Sequence, residues 1–305
     1  MTTPRLSIGI TTRDRRDALI RCVKSIDAVA HLDPEILVFD DASTVPATTQ
    51  LAGQPYADRA RVIRDEHAPG YIAGRNRLMR HSSAPYVLLL DDDAALLENG
   101  AVDRALAVLD ADERVAAVAF AQADSNGNPW DVTMQASRSV ESCYVPSFIG
   151  FAHLLRRRSF SEIGGYRESF EFYGEEKDFC LRLIEGGYRT VYLPDGLVMH
   201  APDSSGRSRR RYLRYVTRND CLNALYNEPL SRLIWVLPAR LALFFRMRRA
   251  WQVDDRWGWA WIVSELAANV PGILRDRRPV STETVRLWKE LRLSPALYKA
   301  PVRER

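Results

Sequence analysis

The feature that most constrains this chain is a rhythm of short apolar, β-branched runs that end in hydroxyl or acidic residues, each followed by a segment with helical spacing. LSIGI at 6–10 leads into Thr11 and Thr12, then into a helical pattern through Leu19, Val23 and Ile26. Residues 36–39 end at Asp40 and Asp41, and residues 61–64 form a third short run. After a helix over 70–80, YVLLL at 86–90 stops at Asp91, Asp92 and Asp93. A helix over 101–109 and a strand over 115–120 continue the series. Short apolar runs without polar alternation are strands covered on both faces. Their alternation with helices predicts an α/β fold: a Rossmann-like, mostly parallel sheet flanked by helices. In such sheets ligands collect outside the carboxyl ends of the strands, where these polar clusters fall.

Beyond Gln122 the rhythm loosens. DSNGNPWD at 124–131 reads as a turn-rich loop, residues 148–155 as a strand, residues 179–184 as a short helix, and residues 190–193 as a strand before Pro194. After His200, Ser204-Ser205-Gly206 reads as a hinge and the chain becomes arginine-rich and helical, which divides it into a part spanning 1–206 and a helical C-terminal region spanning 207–305. Charge follows the same line. The formal net charge of +4 conceals 22 basic against 29 acidic residues over 1–200 and 21 against 10 over 201–305. An acidic part suits a metal, and a basic part suits an anionic partner.

Trp235, Trp251, Trp257, Trp259, Trp261 and Trp288 all lie in the basic part, where Leu230, Leu233, Leu237, Leu241 and Phe244 recur at helical spacing before Arg246, Arg248 and Arg249. Two expectations stay open for it: packing on the rest of the chain or on a second copy as a homodimer, with arginine stems over apolar surface, or peripheral contact with anionic lipid. No nucleic-acid recognition module is present. Arg232, Pro238 and Arg240 interrupt the most apolar window, 230–245, and MTTPRLSIGI lacks the order of a secretory leader. The expected location is therefore cytoplasmic, with contact at the inner face of the membrane as a further expectation. Cys22, Cys143, Cys180 and Cys221 are scattered, contain no CxxC, and read as reduced thiols.

Three constellations carry chemistry. In LLLDDDA at 88–94, neighbouring carboxylates at a buried strand end repel one another and lose solvation unless a cation compensates them. Manganese or magnesium would do so, taking one or two protein carboxylates and filling its remaining positions with water or phosphate oxygens. In FYGEEKDFCLRL at 172–183, Glu175, Glu176 and Asp178 precede a helix, where ordinary capping accounts for them and a carboxylate base with a raised pKa is the alternative. His200, closing VYLPDGLVMH, stands at a strand end as a candidate metal ligand.

Together these segments resemble family-2 glycosyltransferases of the GT-A fold, in their inverting, non-processive bacterial form. LSIGITTRDRR is similar to the opening strand and loop, EILVFDDAST to the second strand, GYIAGRN to the Arg-Asn helix, YVLLLDDDA to the DxD strand, and IGGYRESFEFYGEEKDFCLRLIEGGYRTVYLPDGLVMH to the catalytic-base block. The resemblance runs over about residues 5–200, and YLRYVTRN at 212–219 loosely matches a helix beyond it.

The resemblance implies roles. Thr11 and Asp41, with Asp40 beside them, would contact the nucleotide. Arg75 would touch pyrophosphate or clamp the aspartates, and Asp91 and Asp92 would lie near ribose and metal. Asp93 and His200 would ligate the metal, with Asp91 as a further ligand. The base would be Glu175 or Glu176, since Glu176 stands where an aspartate is usual, with Asp178 third. The implied reaction moves one sugar, with inversion and metal dependence, from a UDP or dTDP sugar to a hydroxyl of a glycan or lipid-linked saccharide in cell-surface polysaccharide synthesis. The alternatives are a sugar-nucleotide nucleotidyltransferase, disfavoured because Gly9 is the only glycine near the first strand end, and a catalytically inactive relative that only binds. Residues 126–130 and 147–150 are candidate acceptor contacts.

Overall fold

The computed structural model describes residues 3–202 and 208–301. The first half runs β1 (Leu6–Thr12), α1 (Arg16–Lys24), β2 (Glu35–Asp41), α2 (Ala47–Leu51), β3 (Ala60–Asp65), α3 (Tyr71–His81), β4 (Tyr86–Asp91), β5 (Ala94–Leu96), α4 (Ala101–Ala111) and β6 (Val115–Ala123). It continues through β7 (Cys143–Val145), β8 (Ala152–Arg156), α5 (Arg157–Ile163), α6 (Glu175–Glu185) and β9 (Arg189–His200). The C-terminal helices are α7 (Arg209–Asn227), α8 (Leu230–Ala250), α9 (Gly258–Ala268), α10 (Val270–Asp276) and α11 (Thr282–Leu293).

The strands form one sheet in the order β3-β2-β1-β4-β8-β6-β9-β5, with β7 also on β9. β1 to β4 are parallel, as the strand–helix alternation predicts. The rest is mixed: β8 lies antiparallel between β4 and β6, and β5 and β7 run antiparallel to β9. The long stretch between β6 and β8 contains no crossover helix, so β8 enters from the opposite end. The strand expected over 148–155 is Ala152–Arg156. The helix expected over 179–184 starts earlier, at Glu175, so the acidic residues form its first turn rather than preceding it.

Alternate strand residues feed two cores. Ile36 and Val38 join the core that holds Leu19 of α1 and Leu106 of α4, while Leu37 and Phe39 join the one that holds Leu78 of α3, Phe160 of α5 and Phe179 of α6. α3 approaches the sheet closely because Gly74 lies over Phe39: a Cβ there would stand 2.4 Å from Phe39 Cδ1. The four cysteines are buried and free, as reduced thiols would be.

The predicted hinge at Ser204-Ser205-Gly206 and the boundary near Arg207 lie outside the described residues. On the far side, Leu222, Tyr226 and Ile273 join the second core of the sheet. Leu213, Phe244, Val253 and Ile262 form a smaller core of the helical region. The chain end returns to the sheet, where Tyr144 N donates to Ala296 O and Tyr298 N to Ser142 O, each at 2.8 Å. Among the described residues, no helix is long and apolar enough to cross a membrane.

One buried ion network ties α6 to α7. Asp178 is fully buried, accepts from Arg167, takes Arg182 Nη2 at 2.7 Å and receives Asn227 Nδ2 at 2.8 Å. The guanidinium groups hold its carboxyl below the usual value against the cost of burial. Removing one partner of a buried pair costs about 3–5 kcal/mol, because the remaining charge is left uncompensated. Asp178→Ala is therefore expected to lower unfolding free energy by about that amount in urea titrations. Since the folded pKa is depressed, the wild type should keep this contribution above the unfolded value near 3.8 and lose it as pH falls further.

Candidate active site

The carboxyl ends of β1, β2 and β4, the starts of α3 and α6, and the end of β9 surround a cleft of about 650 Å³. Thr11, Asp41, Arg75, Asp91, Asp92, Asp93, Glu176 and His200 line it, joined by Arg13, Arg15, Tyr71, Gly150, Tyr173 and Arg211. Of the residues singled out in the sequence, Asp40, Glu175 and Asp178 do not line it, nor do residues 126–130, Ser147 and Phe148 among the expected acceptor contacts, of which Ile149 and Gly150 do.

Each aspartate at the end of β4 has its own partners. Asp91 Oδ1 accepts from Arg75 Nη2 at 2.7 Å and from Thr11 Oγ1 at 3.5 Å. Asp92 accepts from Thr12 Oγ1 at 2.8 Å and from Arg15 Nη1 at 2.9 Å, yet burial pushes its pKa up to about 6. Arg15 Nη1 also reaches Asp93 Oδ2 at 2.9 Å, so one guanidinium bridges two of the three carboxylates. The other oxygen, Asp93 Oδ1, is buried without a hydrogen-bond partner. It faces His200 Nε2 at 3.6 Å.

His200 is held from behind. Its Nδ1 lies 2.5 Å from Gln122 Oε1, and Gln122 Nε2 donates to Met134 O, which fixes the carbonyl side of the amide toward the imidazole. Nδ1 thus donates to that carbonyl, and the ring turns Nε2 toward Asp93 in the way second-shell partners orient ligating histidines. The ring stacks on Trp130 at 5.3 Å and on Phe151 at 4.7 Å. An orphaned carboxylate oxygen set against an imidazole nitrogen is a donor set that fits a divalent cation. Among the described residues no three His, Cys, Asp or Glu groups form a ready cage. Asp91, expected as a further ligand, lines the same cleft with its Oδ1 taken by Arg75. A hard cation that draws further oxygens from a diphosphate suits such a partial site.

The first turn of α6 sorts its carboxylates by direction. Glu175 is buried, takes Arg75 Nη1 at 2.8 Å and Tyr71 Oη at 3.3 Å, and so sits behind the cleft wall. Glu176 is turned into the cleft, and Asp178 points away into the α6–α7 network. That geometry removes Asp178 from the candidate bases. Burial raises the pKa of both glutamates; the Glu176 charge raises that of Glu175 further, and the Asp91 charge that of Glu176. With Arg75 seated on Glu175, the pair titrates as a unit whose last proton leaves above the ordinary carboxyl range. Gly150 completes this wall: a Cβ there would lie 2.6 Å from Glu176 Oε1, and its carbonyl accepts from Arg75 Nη2 at 2.7 Å.

Asp40, expected beside the nucleotide, is instead a loop anchor, accepting from Ser43 N and Ala47 N at 2.9 Å and from Arg64 at 2.6 Å. Asp41 accepts from Gly70 N at 3.0 Å at the cleft rim. Arg15 and Gln122 were not singled out in the sequence: one lies in an arginine-rich run, the other mid-strand, and neither has a local signature.

α7 holds the loop that precedes α6. Asn219 Nδ2 donates to the carbonyls of Phe170, Phe172 and Tyr173 at 2.7–2.8 Å. Arg218 donates to Ser169 O at 2.9 Å and to Glu171 Oε1 at 2.9 Å. The YLRYVTRN segment therefore shapes one wall of the cleft from outside it.

Comparison with known proteins agrees with this architecture. TarS of S. aureus (residues 1–349) superposes with a TM-score of 0.62 at 15% identity, covering 95% of this chain and 87% of its own. The mannosyltransferase PcManGT of Pyrobaculum calidifontis, solved with GDP-Man and Mn2+, gives 0.55 at 15% identity over 95% of this chain and 84% of that one. In sequence, an N-acetylglucosaminyl-diphospho-decaprenol L-rhamnosyltransferase of Mycobacterium tuberculosis is 30% identical over 124 residues, which is 38% of this chain and only 39% of the relative. The uncharacterized glycosyltransferase YwdF of Bacillus subtilis is 27% identical over 75% of this chain and 89% of its own length. The model of glycosyl transferase family group 2 matches residues 86–271. Residues 7–164, more than half of the chain, match the model of glycosyl transferase family 2, and the chain belongs to that family.

Proposed function

We propose that this cleft transfers one sugar from a nucleoside-diphosphate sugar, with UDP or dTDP as the carrier, to a hydroxyl of a glycan or lipid-linked saccharide, with inversion at the anomeric carbon. The observation that carries this reading is the pairing of two features in one cleft: the orphaned Asp93 Oδ1 set against an oriented His200, and Glu176 alone among the α6 carboxyls turned inward. Family membership sets aside the nucleotidyltransferase alternative.

The residues supply the parts. Thr11 and Asp41, at the ends of β1 and β2, are placed for the nucleoside. Asp93 and His200 would hold a manganese or magnesium ion, which when bound neutralises charge on the diphosphate leaving group. Arg13 and Arg211 line the same cleft and add positive charge toward that group. Glu176 accepts the proton of the acceptor hydroxyl as its oxygen forms the new bond to the anomeric carbon. The bond from that carbon to the phosphate oxygen breaks, and its electron pair leaves with the nucleoside diphosphate. Glu175 stays behind the wall as a positioning residue, clamped by Arg75.

A thermal-shift panel of UDP, dTDP, GDP and CDP sugars, with and without manganese, tests the donor assignment. Metal-dependent stabilisation should appear for UDP or dTDP sugars. It should vanish in Asp93→Ala and His200→Ala; if both variants keep it, the metal lies elsewhere. Glu176→Gln should retain that stabilisation while transfer falls by roughly 10²–10⁴-fold, the usual worth of a general base. Full activity in Glu176→Gln would move the base to another group. Because the base must be ionised and burial raises its pKa, transfer in the wild type should still be climbing with pH above the range where an ordinary glutamate, with a pKa of about 4.3, is already ionised. A rate already level by about pH 5 would show an unperturbed base.

A further inference from the structure

α8 is 21 residues long, and Phe244 is its one fully buried side chain. Its inner side rests on α7, while Leu230, Ile234, Pro238, Ala242, Phe245 and Arg249 recur three or four residues apart along an exposed stripe. Leu230, Ile234, Trp235 and Phe245 are 72, 68, 77 and 50% exposed. Side chains at such spacing share one face of a helix. Soluble monomers rarely leave an apolar stripe of this length uncovered.

Charge decides what covers it. α8 carries five arginines and no Asp or Glu. Arg232 and Arg240 turn to Glu228 and Asp220, and among the described residues Arg246 and Arg249, on or beside the stripe, have no acidic partner. A second copy docked on this face would bring more unpaired arginines and no carboxylate from its own α8, so guanidinium groups would be buried against one another. An anionic bilayer offers what the face lacks, phosphate oxygens for the arginines and a boundary layer that accepts Trp, Leu and Phe.

The face also leads to the cleft. Trp251, directly after α8, packs on Tyr212 with ring centroids 5.7 Å apart, and Tyr212 packs on Tyr173 of the cleft wall at 5.0 Å. Trp257, at the start of α9, is a further 72% exposed tryptophan; it adjoins Gly258, where a Cβ would meet Phe244 at 2.5 Å. We propose that the exposed face of α8 docks on the surface of an anionic lipid bilayer and holds the cleft beside an acceptor carried in that bilayer. Docking stands on the face alone; delivery of the acceptor rests on the function proposed above.

The test is sedimentation of the full chain with vesicles of phosphatidylcholine alone, and with vesicles of phosphatidylcholine and phosphatidylglycerol in equal parts. At low salt the protein should pellet with the anionic vesicles and not the neutral ones, and it should be released as salt screens the surface. Ile234→Asp with Trp235→Asp, and separately Arg246→Glu with Arg249→Glu, should each cut partitioning by roughly tenfold or more, since one arginine near such a surface is worth about fivefold. These positions are exposed, and unchanged melting temperatures would show that the variants fold. Absence of pelleting at low salt would overturn the proposal, as would pelleting unaltered in both variants. So would a dimer that the Ile234→Asp, Trp235→Asp protein no longer forms while vesicles recruit neither protein. Nucleotide thermal shifts on the same samples report the cleft independently, so loss of docking and failure of the catalytic reading are separately visible.

Discussion

A single buried guanidinium holds the site together. Arg75, 2% exposed on α3, donates to Asp91 at the end of β4, to Glu175 at the start of α6 and to the carbonyl of Gly150. Its ring partner is Tyr71, with the guanidinium carbon 4.7 Å from the ring centroid. A guanidinium, always charged, is tolerated at this depth because two carboxylates share it, and it offsets in turn part of the cost of burying them. The β4 side and the α6 side of the cleft are thus fixed to one side chain. Burial, with the Asp91 charge nearby, raises the pKa of Glu176 in this wall.

The helical C-terminal region is part of the site's construction. Arg218 and Asn219 of α7 satisfy the carbonyls of the loop that carries Phe172 and Tyr173, and Arg211 enters the cleft itself. A loop with so many inward carbonyls would be costly to bury without such donors. α7 supplies them while Asp178, Arg167 and Asn227 lock α6 against it. α6 is therefore positioned by Arg75 at its first turn and by α7 along its outer side.

Much of this was legible in the sequence because it rests on local pattern. Apolar runs ending in hydroxyl or acidic residues located β1, β2 and β4 and their polar tips. The DDD and GEEKD segments marked the two sides of the cleft. What the pattern did not resolve was direction. Adjacent residues on a strand point to opposite faces, so Asp40 anchors a loop while Asp41 meets the cleft. Around a helix successive residues turn by about 100°, so Glu175, Glu176 and Asp178 reach three different environments. Nor could pattern reveal Arg15 or Gln122, whose importance comes from atoms far away in the chain: Asp92 and Asp93 for one, His200 for the other.

By itself the sequence determined the strand–helix alternation, the family resemblance, the acidic clusters at strand ends and the segregation of positive charge and tryptophan into the last third, since each is a matter of residue type and spacing. Only the tertiary structure decided that β8 runs against its neighbours, that Glu176 rather than Asp178 faces the cleft, that Asp93 keeps an unpartnered oxygen toward His200, and that α8 turns an apolar, arginine-tipped face outward. Those outcomes depend on which distant side chains compete for the same buried space and the same charge, and such competition exists only once the chain has folded.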